Sequence, residues 1–206
     1  TVIAGSDGPA TFGYASDGSS GTDAIVATAA VNGVQVAATG SMTWAATGSA
    51  EVVEYYHAGL DHYFITWLPA EIAILDAGET ITGWTRTGYG FRAYATAQAG
   101  TSPVCRVYIP PELGNSHFFG RGTAECTATV EQNPSFQVED LQFMQMFLPA
   151  AGVCPAGTTQ VHRVFSNRQD ANHRYMTDKA VRAQMVAKGW LAEGDGPEMV
   201  VMCAPH

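Results

Sequence analysis

Along the first fifty residues, apolar and polar positions alternate in short runs broken by Gly, Pro, Asn and Asp. Ala10–Tyr14 reads as a strand. Over Asp23–Val31, Ile25, Ala27 and Ala29 fall on one face, and Val26, Thr28 and Ala30 on the other. A period of two is the signature of an extended chain whose successive side chains point to opposite sides. Asn32-Gly33 then supplies the two residues that a tight hairpin requires, because both central positions of such a turn need positive φ. Val34–Trp44 returns as the partner strand, so this region is predicted to be a β-meander.

Beyond Ala50 the pattern changes and recurs three times. Glu54-Tyr55-Tyr56 precedes Asp61-His62-Tyr63-Phe64-Ile65-Thr66. Arg106-Val107-Tyr108 precedes Ser116-His117-Phe118-Phe119. Arg163-Val164-Phe165 precedes Asn172-His173-Arg174-Tyr175-Met176-Thr177. The aligned histidines lie 55 and 56 residues apart. A short helical stretch follows each, over Pro69–Ala77, Thr123–Val130 and Asp178–Lys188. The first carries Ile72, Ala73, Leu75 and Ala77 as an apolar stripe, and the third carries Val181, Met185 and Val186 with Gly189 as its stop. Gly83-Trp84 and Gly189-Trp190 close two copies; in the second, Phe136 or Phe143 fills that place. Each copy therefore reads strand, loop, strand, helix, strand. About 50 residues cannot bury such a face alone, whereas three copies can share one core around a pseudo-threefold axis.

Two resemblances follow from these residues. Gly8-Pro9-Ala10-Thr11-Phe12-Gly13-Tyr14, Gly21-Thr22-Asp23-Ala24-Ile25-Val26-Ala27, Val31-Asn32-Gly33 and Met42-Thr43-Trp44 resemble the C-terminal half of a bacterial Ig-like domain of the invasin and adhesin type. A whole sandwich of that kind takes about 100 residues and seven strands, so the resemblance implies a partial domain. Its open edge would be completed by an upstream segment or by a neighbouring copy. The second resemblance spans the three copies. It is to tandem-repeat domains of unknown function with the signature Tyr-Arg-Phe-Tyr-Asn, His-Phe-Tyr-Thr, a short helix and Gly-Trp, found in secreted bacterial hydrolases and surface proteins. The second copy departs from it, with Arg121 where the others have Thr66 and Thr177. The resemblance implies a cell-wall or glycan-binding module in an extracellular or cell-surface location.

The expected fold is thus mainly β, a β-rich α+β chain. A partial Ig-like β-sandwich (1–46) and a small-residue linker (47–51) lead into a pseudo-threefold β-repeat domain with short helices. That domain spans 52–206, its units running over about 52–104, 105–160 and 161–206.

Cysteine usage adds a compartment. Cys105, Cys126, Cys154 and Cys203 form no C-x-x-C pair, which argues against a zinc ribbon or a thioredoxin-type site. An even number at wide spacing suits disulfides in an oxidising compartment. Three connectivities are open; the repeats favour Cys105–Cys126, both within one unit, and Cys154–Cys203, where Cys154 precedes the third unit and Cys203 ends its last strand. Composition excludes other classes. Acidic residues outnumber basic ones 19 to 10, the formal net charge is −9, and Arg86 is the first basic residue. Such a chain has no basic stripe for nucleic acid, and no apolar run is long enough to insert into a membrane.

Candidate chemistry is sparse. His62, His117 and His173 would give a three-imidazole metal site if they converged. The alternative is that each ring bonds to its own unit's loop, where Asp61, Ser116 or Asn172 lies beside it. Sugar-binding sites use a flat exposed ring with amides and carboxylates nearby. The ligand-binding candidates are therefore Trp67, Tyr63, Trp84, Trp190 and Asp61, with Trp67 expected to be exposed. No G-x-S-x-G elbow, H-E-x-x-H, phosphate-cradling glycine loop or EF-hand occurs, and no catalytic residue or cofactor is expected. The leading expectation is a non-catalytic extracellular binding module for a cell-wall or polysaccharide surface. The alternatives are a segment of a surface fibre and an accessory domain of a secreted hydrolase; a hydrolase in its own right is the remaining one.

Overall fold

The structure is a computed structural model that describes residues 21–44 and 48–206. It divides between Gly48 and Ser49 into two units. In the first, strands β1 (Gly21–Val31) and β2 (Val34–Trp44) pair antiparallel from Gly21↔Trp44 to Val31↔Val34. The Asn32-Gly33 turn has positive φ at both residues, 53° and 79°, which matches the right-handed twist of the flanking strands. Side chains on both faces of this hairpin are exposed, among them Ile25, Val26, Val34, Val36 and Met42. The expected strand Ala10–Tyr14 lies outside the described residues. A single hairpin is common to many β folds and is not specific to Ig-like domains.

The second unit repeats one order of elements three times. The first copy holds β3 (Ser49–His57), β4 (His62–Thr66), α1 (Pro69–Ala77) and β5 (Trp84–Tyr94). The second holds β6 (Ser102–Ile109), β7 (Ser116–Arg121), α2 (Gly122–Gln132) and β8 (Gln137–Met146). The third holds β9 (Thr158–Phe165), β10 (His173–Met176) and α3 (Lys179–Ala187), and its last strand is broken into β11 (Leu191–Glu193) and β12 (Val200–Pro205). In every copy the first strand is central and antiparallel to both neighbours: β4-β3-β5, β7-β6-β8, and β10-β9 with β11 and β12. Tyr94↔Gln145 joins β5 to β8, and the bridge Phe147↔Cys203 brings in β12. The molecule is mainly β with three short helices. Ser49 already pairs with Tyr94 and is held by Arg92, so β3 takes up residues that the sequence assigns to a linker.

All three copies contribute to one core. Val52, Ile65, Phe91, Val104, Phe119, Met144, Val161, Tyr175 and Met202 are buried together, with Phe64 packed against them. Phe64, Phe119 and Tyr175 each stand two residues after the aligned histidine. Phe119 lies 6.4 Å from Phe64 and 5.6 Å from Tyr175, perpendicular to the latter. The buried Tyr175 hydroxyl bonds both the N–H and the C=O of Phe119, so burying a phenol here leaves no polar atom unpaired.

Around this core, each helix covers its own copy. Leu75 packs on Tyr55 and Trp84, and Val181 and Met185 pack on Trp190. In the second copy Phe136 occupies the corresponding cluster, with Cys105, Val107 and Cys126, while Phe143 lies in the shared core. Helix α2 buries only Cys126, and the Cys105–Cys126 disulfide fixes it to β6 in place of an apolar stripe. Cys154–Cys203 ties the last strand to the start of the third copy. Local signals start and stop the helices: Pro69 opens α1, Gly78 closes it in the left-handed region, and the Asp178 carboxylate caps α3.

Ion pairs join the copies. The strand register sets Tyr55, Arg106 and Arg163 opposite Phe64, Phe119 and Tyr175, so the sequence alignment of Glu54 with the two arginines is one residue out. Arg106 reaches Glu71 on α1 at 2.7 Å, and Arg163 reaches Glu125 on α2 at 2.8 Å. Each arginine thus holds the helix of the preceding copy. Tyr55 cannot do this, and the remaining junction is closed differently. Arg174 of the third copy makes a bidentate pair with Glu54 of the first, and both are buried.

Candidate functional site

Where the first and second copies meet, a cleft of about 240 Å³ opens, lined by Tyr63, Phe64, Leu75, Ile81, Trp84, Asn115, Ser116 and His117. Strand β4 supplies Tyr63 and Phe64, helix α1 supplies Leu75, the turn before β5 supplies Ile81, and the first residue of β5 is Trp84. A 3₁₀ turn over Pro111–Leu113 leads into Asn115, Ser116 and His117. Ile81 and Asn115 are exposed; Trp84 and His117 are half-buried.

The Trp84 ring is held edge-on to His57 at 5.3 Å and to Phe64 at 6.0 Å. Gly83, immediately before it, has φ +85°, and a Cβ there would lie 2.3 Å from His57 Nε2. Glycine suits this corner because its left-handed φ strains any other residue, and a Cβ there would also push the His57 ring aside.

Two polar groups in the lining are already used. Ser116 Oγ donates to the Ala171 carbonyl, and the Tyr108 hydroxyl donates to Asn115 Oδ1 at 2.7 Å. Asn115 Nδ2 and His117 Nδ1 make no hydrogen bond among the described residues. His117 Nε2 lies 3.1 Å from Glu139 Oε2, which also lies 2.7 Å from Arg106 Nε. The imidazole and then the guanidinium hold the Glu139 carboxyl below its ordinary range.

The five ligand-binding candidates part company here. Tyr63 and Trp84 line the cleft. Trp67 does not present an exposed ring: it is half-buried against the shared core, 6.1 Å from Phe143, and its Nε1 donates to the Phe143 carbonyl at 2.8 Å. At the end of β4, its indole satisfies a β8 carbonyl. Trp190 is only 5 % exposed beneath α3, because a flat ring after a helix stop is the natural cover for that helix's apolar side. Asp61 sits in a left-handed turn, φ 53°, and its carboxylate is taken by the Tyr56 hydroxyl at 3.0 Å and Arg168 at 2.5 Å.

The three aligned histidines face separate carboxylates. His62 meets Asp170, from the loop of the third copy, at 3.3 Å; His117 meets Glu139; His173 meets Glu193 at 3.7 Å. Among the described residues no three metal-ligating side chains converge. The partners differ from Asp61, Ser116 and Asn172 because the loop residues have other duties: Asn172 bonds both backbone groups of Tyr63, at 2.8 and 3.0 Å, and so splices β10 to β4. Burial lowers the pKa of His62, and burial followed by the charge of Arg163 pushes His173 down to about 3. His173 stacks on Phe165 with centroids 5.0 Å apart. A neutral imidazole in such a place serves packing.

Sequence patterns did not reveal Phe64, Leu75, Ile81 or Asn115 as cleft residues. The Gly114-Asn115 turn, with φ 140° and 48°, was the one local signal. The chain matches the family described as a domain of unknown function, DUF5648, over residues 24–146 and 147–200. No curated protein and no solved structure matches it. Because the two matched segments cover most of the sequence, the chain belongs to the DUF5648 family.

Proposed function

We propose that the chain is a non-catalytic binding module that recognises a glycan of a cell wall or polysaccharide surface outside the cell. The observation that carries this reading is the cleft itself. It sets the rings of Phe64 and Trp84 beside the Asn115 amide and the His117 imidazole, the combination of apolar wall and few polar groups that small-ligand sites use. The two disulfides fit an oxidising compartment. No helix among the described residues is long and apolar enough to cross a membrane. A pull-down on peptidoglycan and common insoluble polysaccharides tests the reading. Binding that drops at least tenfold in Trp84→Ala supports it; absence of binding throughout, or binding indifferent to Trp84, overturns it.

A second reading has its own observation. The β1–β2 hairpin exposes apolar side chains on both faces, and a two-stranded hairpin is marginal by itself. A neighbouring chain that adds strands to it would make the protein a segment of a surface fibre. Concentration-dependent assembly, lost when residues 1–48 are deleted, distinguishes that arrangement.

A further inference from the structure

We infer that the cleft between the first and second copies selects an uncharged N-acetylated sugar by its acetamido group; this rests on the glycan reading above and sharpens it. Three features of the lining converge on that chemistry.

The first is charge. No Lys or Arg lines the cleft. Arg174, whose guanidinium lies 4.0 Å over the Tyr63 ring, is bound to Glu54, and Arg106 is bound to Glu71 at 2.7 Å and lies against Glu139; the protein as a whole carries −9. A uronate, phosphate or sulfate placed here would lose its hydration with no countercharge to replace it.

The second is the floor. Phe64, Leu75 and Trp84 offer no hydrogen-bonding group except the indole N–H. A plain hexose carries a hydroxyl on nearly every carbon, and burying one against such a surface costs about 1–3 kcal/mol when it is left unpaired. An acetamido group ends in a methyl, which this floor takes at a gain of about 0.8 kcal/mol.

The third is the pair of polar atoms beside the floor. Glu139 Oε2 lies 3.1 Å from His117 Nε2, so in the singly protonated ring Nδ1 is left as an acceptor. Tyr108 occupies Asn115 Oδ1, so that side chain presents its Nδ2 as a donor. Asn115 immediately precedes β7 and His117 is its second residue, so their Cα atoms stand roughly 7 Å apart across the extended Ser116. A secondary amide points its N–H and C=O in opposite directions, and partners on its two sides stand about as far apart as that, one accepting and one donating. Hydroxyls alone do not need this polarity, whereas an acetamido group uses both members.

The test is calorimetric titration of the full chain with the β-1,4-linked trimer of N-acetylglucosamine and with cellotriose, which differs in having hydroxyls where the acetamido groups stand. The expected result is at least tenfold tighter binding of the acetylated trimer. Asn115→Ala should erase most of that preference while the circular dichroism spectrum stays that of the parent. His117→Gln, which keeps a polar group but moves the acceptor, should reduce it as well. Equal affinity for the two trimers, or tighter binding of an anionic oligosaccharide such as trigalacturonate, overturns the acetamido inference and leaves the glycan reading standing. A preference for the acetylated trimer that persists in Asn115→Ala overturns the assignment of the polar pair. If neither trimer binds and the polysaccharide pull-down is also empty, both readings fall together.

Discussion

Arg174→Met tests how the three copies are closed into one body. Arg174 directs Nε and Nη2 at the two oxygens of Glu54, each at 2.9 Å, and its guanidinium lies 4.0 Å over the Tyr63 ring. Glu54 is 1 % exposed. Among the described residues, its only other side-chain donor is the Thr87 hydroxyl at 3.1 Å. Removing the arginine leaves a carboxylate out of water with one neutral partner, a change that costs about 3–5 kcal/mol. Arg106→Met at the other end of the ring of junctions should cost only about 1 kcal/mol, because Glu71 and Glu139 are both around one-third exposed and solvent already screens them. The double variant Glu54→Leu/Arg174→Met removes both desolvated charges, and its stability should return to within about 1 kcal/mol of the parent. Urea denaturation at pH 7, followed by tryptophan fluorescence, measures all four proteins. With a slope of about 2 kcal/mol per molar for a domain of this size, the single variant should shift the midpoint by about 2 M. A loss below about 1 kcal/mol in Arg174→Met, or a double variant as unstable as the sum of its parts, would refute the reasoning.

The remaining predictions concern acid, redox state and the Trp84 corner. Burial lowers the pKa of His62, His162 and His173, so the native state binds fewer protons than the unfolded chain below the ordinary histidine pKa of about 6.5. Stability is full above that pH and falls as acid is added. For His173, held down to about 3, the fall between pH 6.5 and 5 is at most about 2 kcal/mol. His173→Gln should flatten the urea midpoint against pH over that interval, and an unchanged slope would contradict the burial argument. Cys154→Ala/Cys203→Ala opens a 49-residue loop and should cost about 4 kcal/mol, against about 3 kcal/mol for the 21-residue loop of Cys105→Ala/Cys126→Ala; thermal melts of the two variants give the order. Gly83→Ala forces the chain away from His57 and should weaken any Trp84-dependent glycan binding at least fivefold, read by the same pull-down, with a modest drop in melting temperature.

The repeat was legible because it depends on short-range signals. Pro69, Gly78, Asp178 and Gly189 bound helices by local backbone chemistry, and Asn32-Gly33 sets a hairpin without help from any distant residue. The cleft was not legible in the same way. Tyr63 and Trp84 were visible as aromatics, but Asn115 and His117 come from the next copy, and nothing in their neighbourhood along the chain says which ring they will meet. Trp67 and Trp190 were misjudged for the same reason. Whether an indole is a platform or a cover depends on which carbonyl or helix lies against it, here Phe143 and α3.

The alternation of side chains and the punctuation between runs decided, from the sequence alone, that this chain forms antiparallel strands with three short helices. They also decided that it does so three times. Folding in three dimensions decided the rest: the one-residue shift that puts Arg106 and Arg163 but not Tyr55 in the ion-pair positions, the buried Glu54–Arg174 closure that compensates, and the meeting of two copies that makes a cavity. Periodicity fixes which face of an element is apolar, because that is a property of neighbouring residues. Contacts between copies depend on which side chains remain unpaired after each copy has folded, and that becomes known only when all three are together.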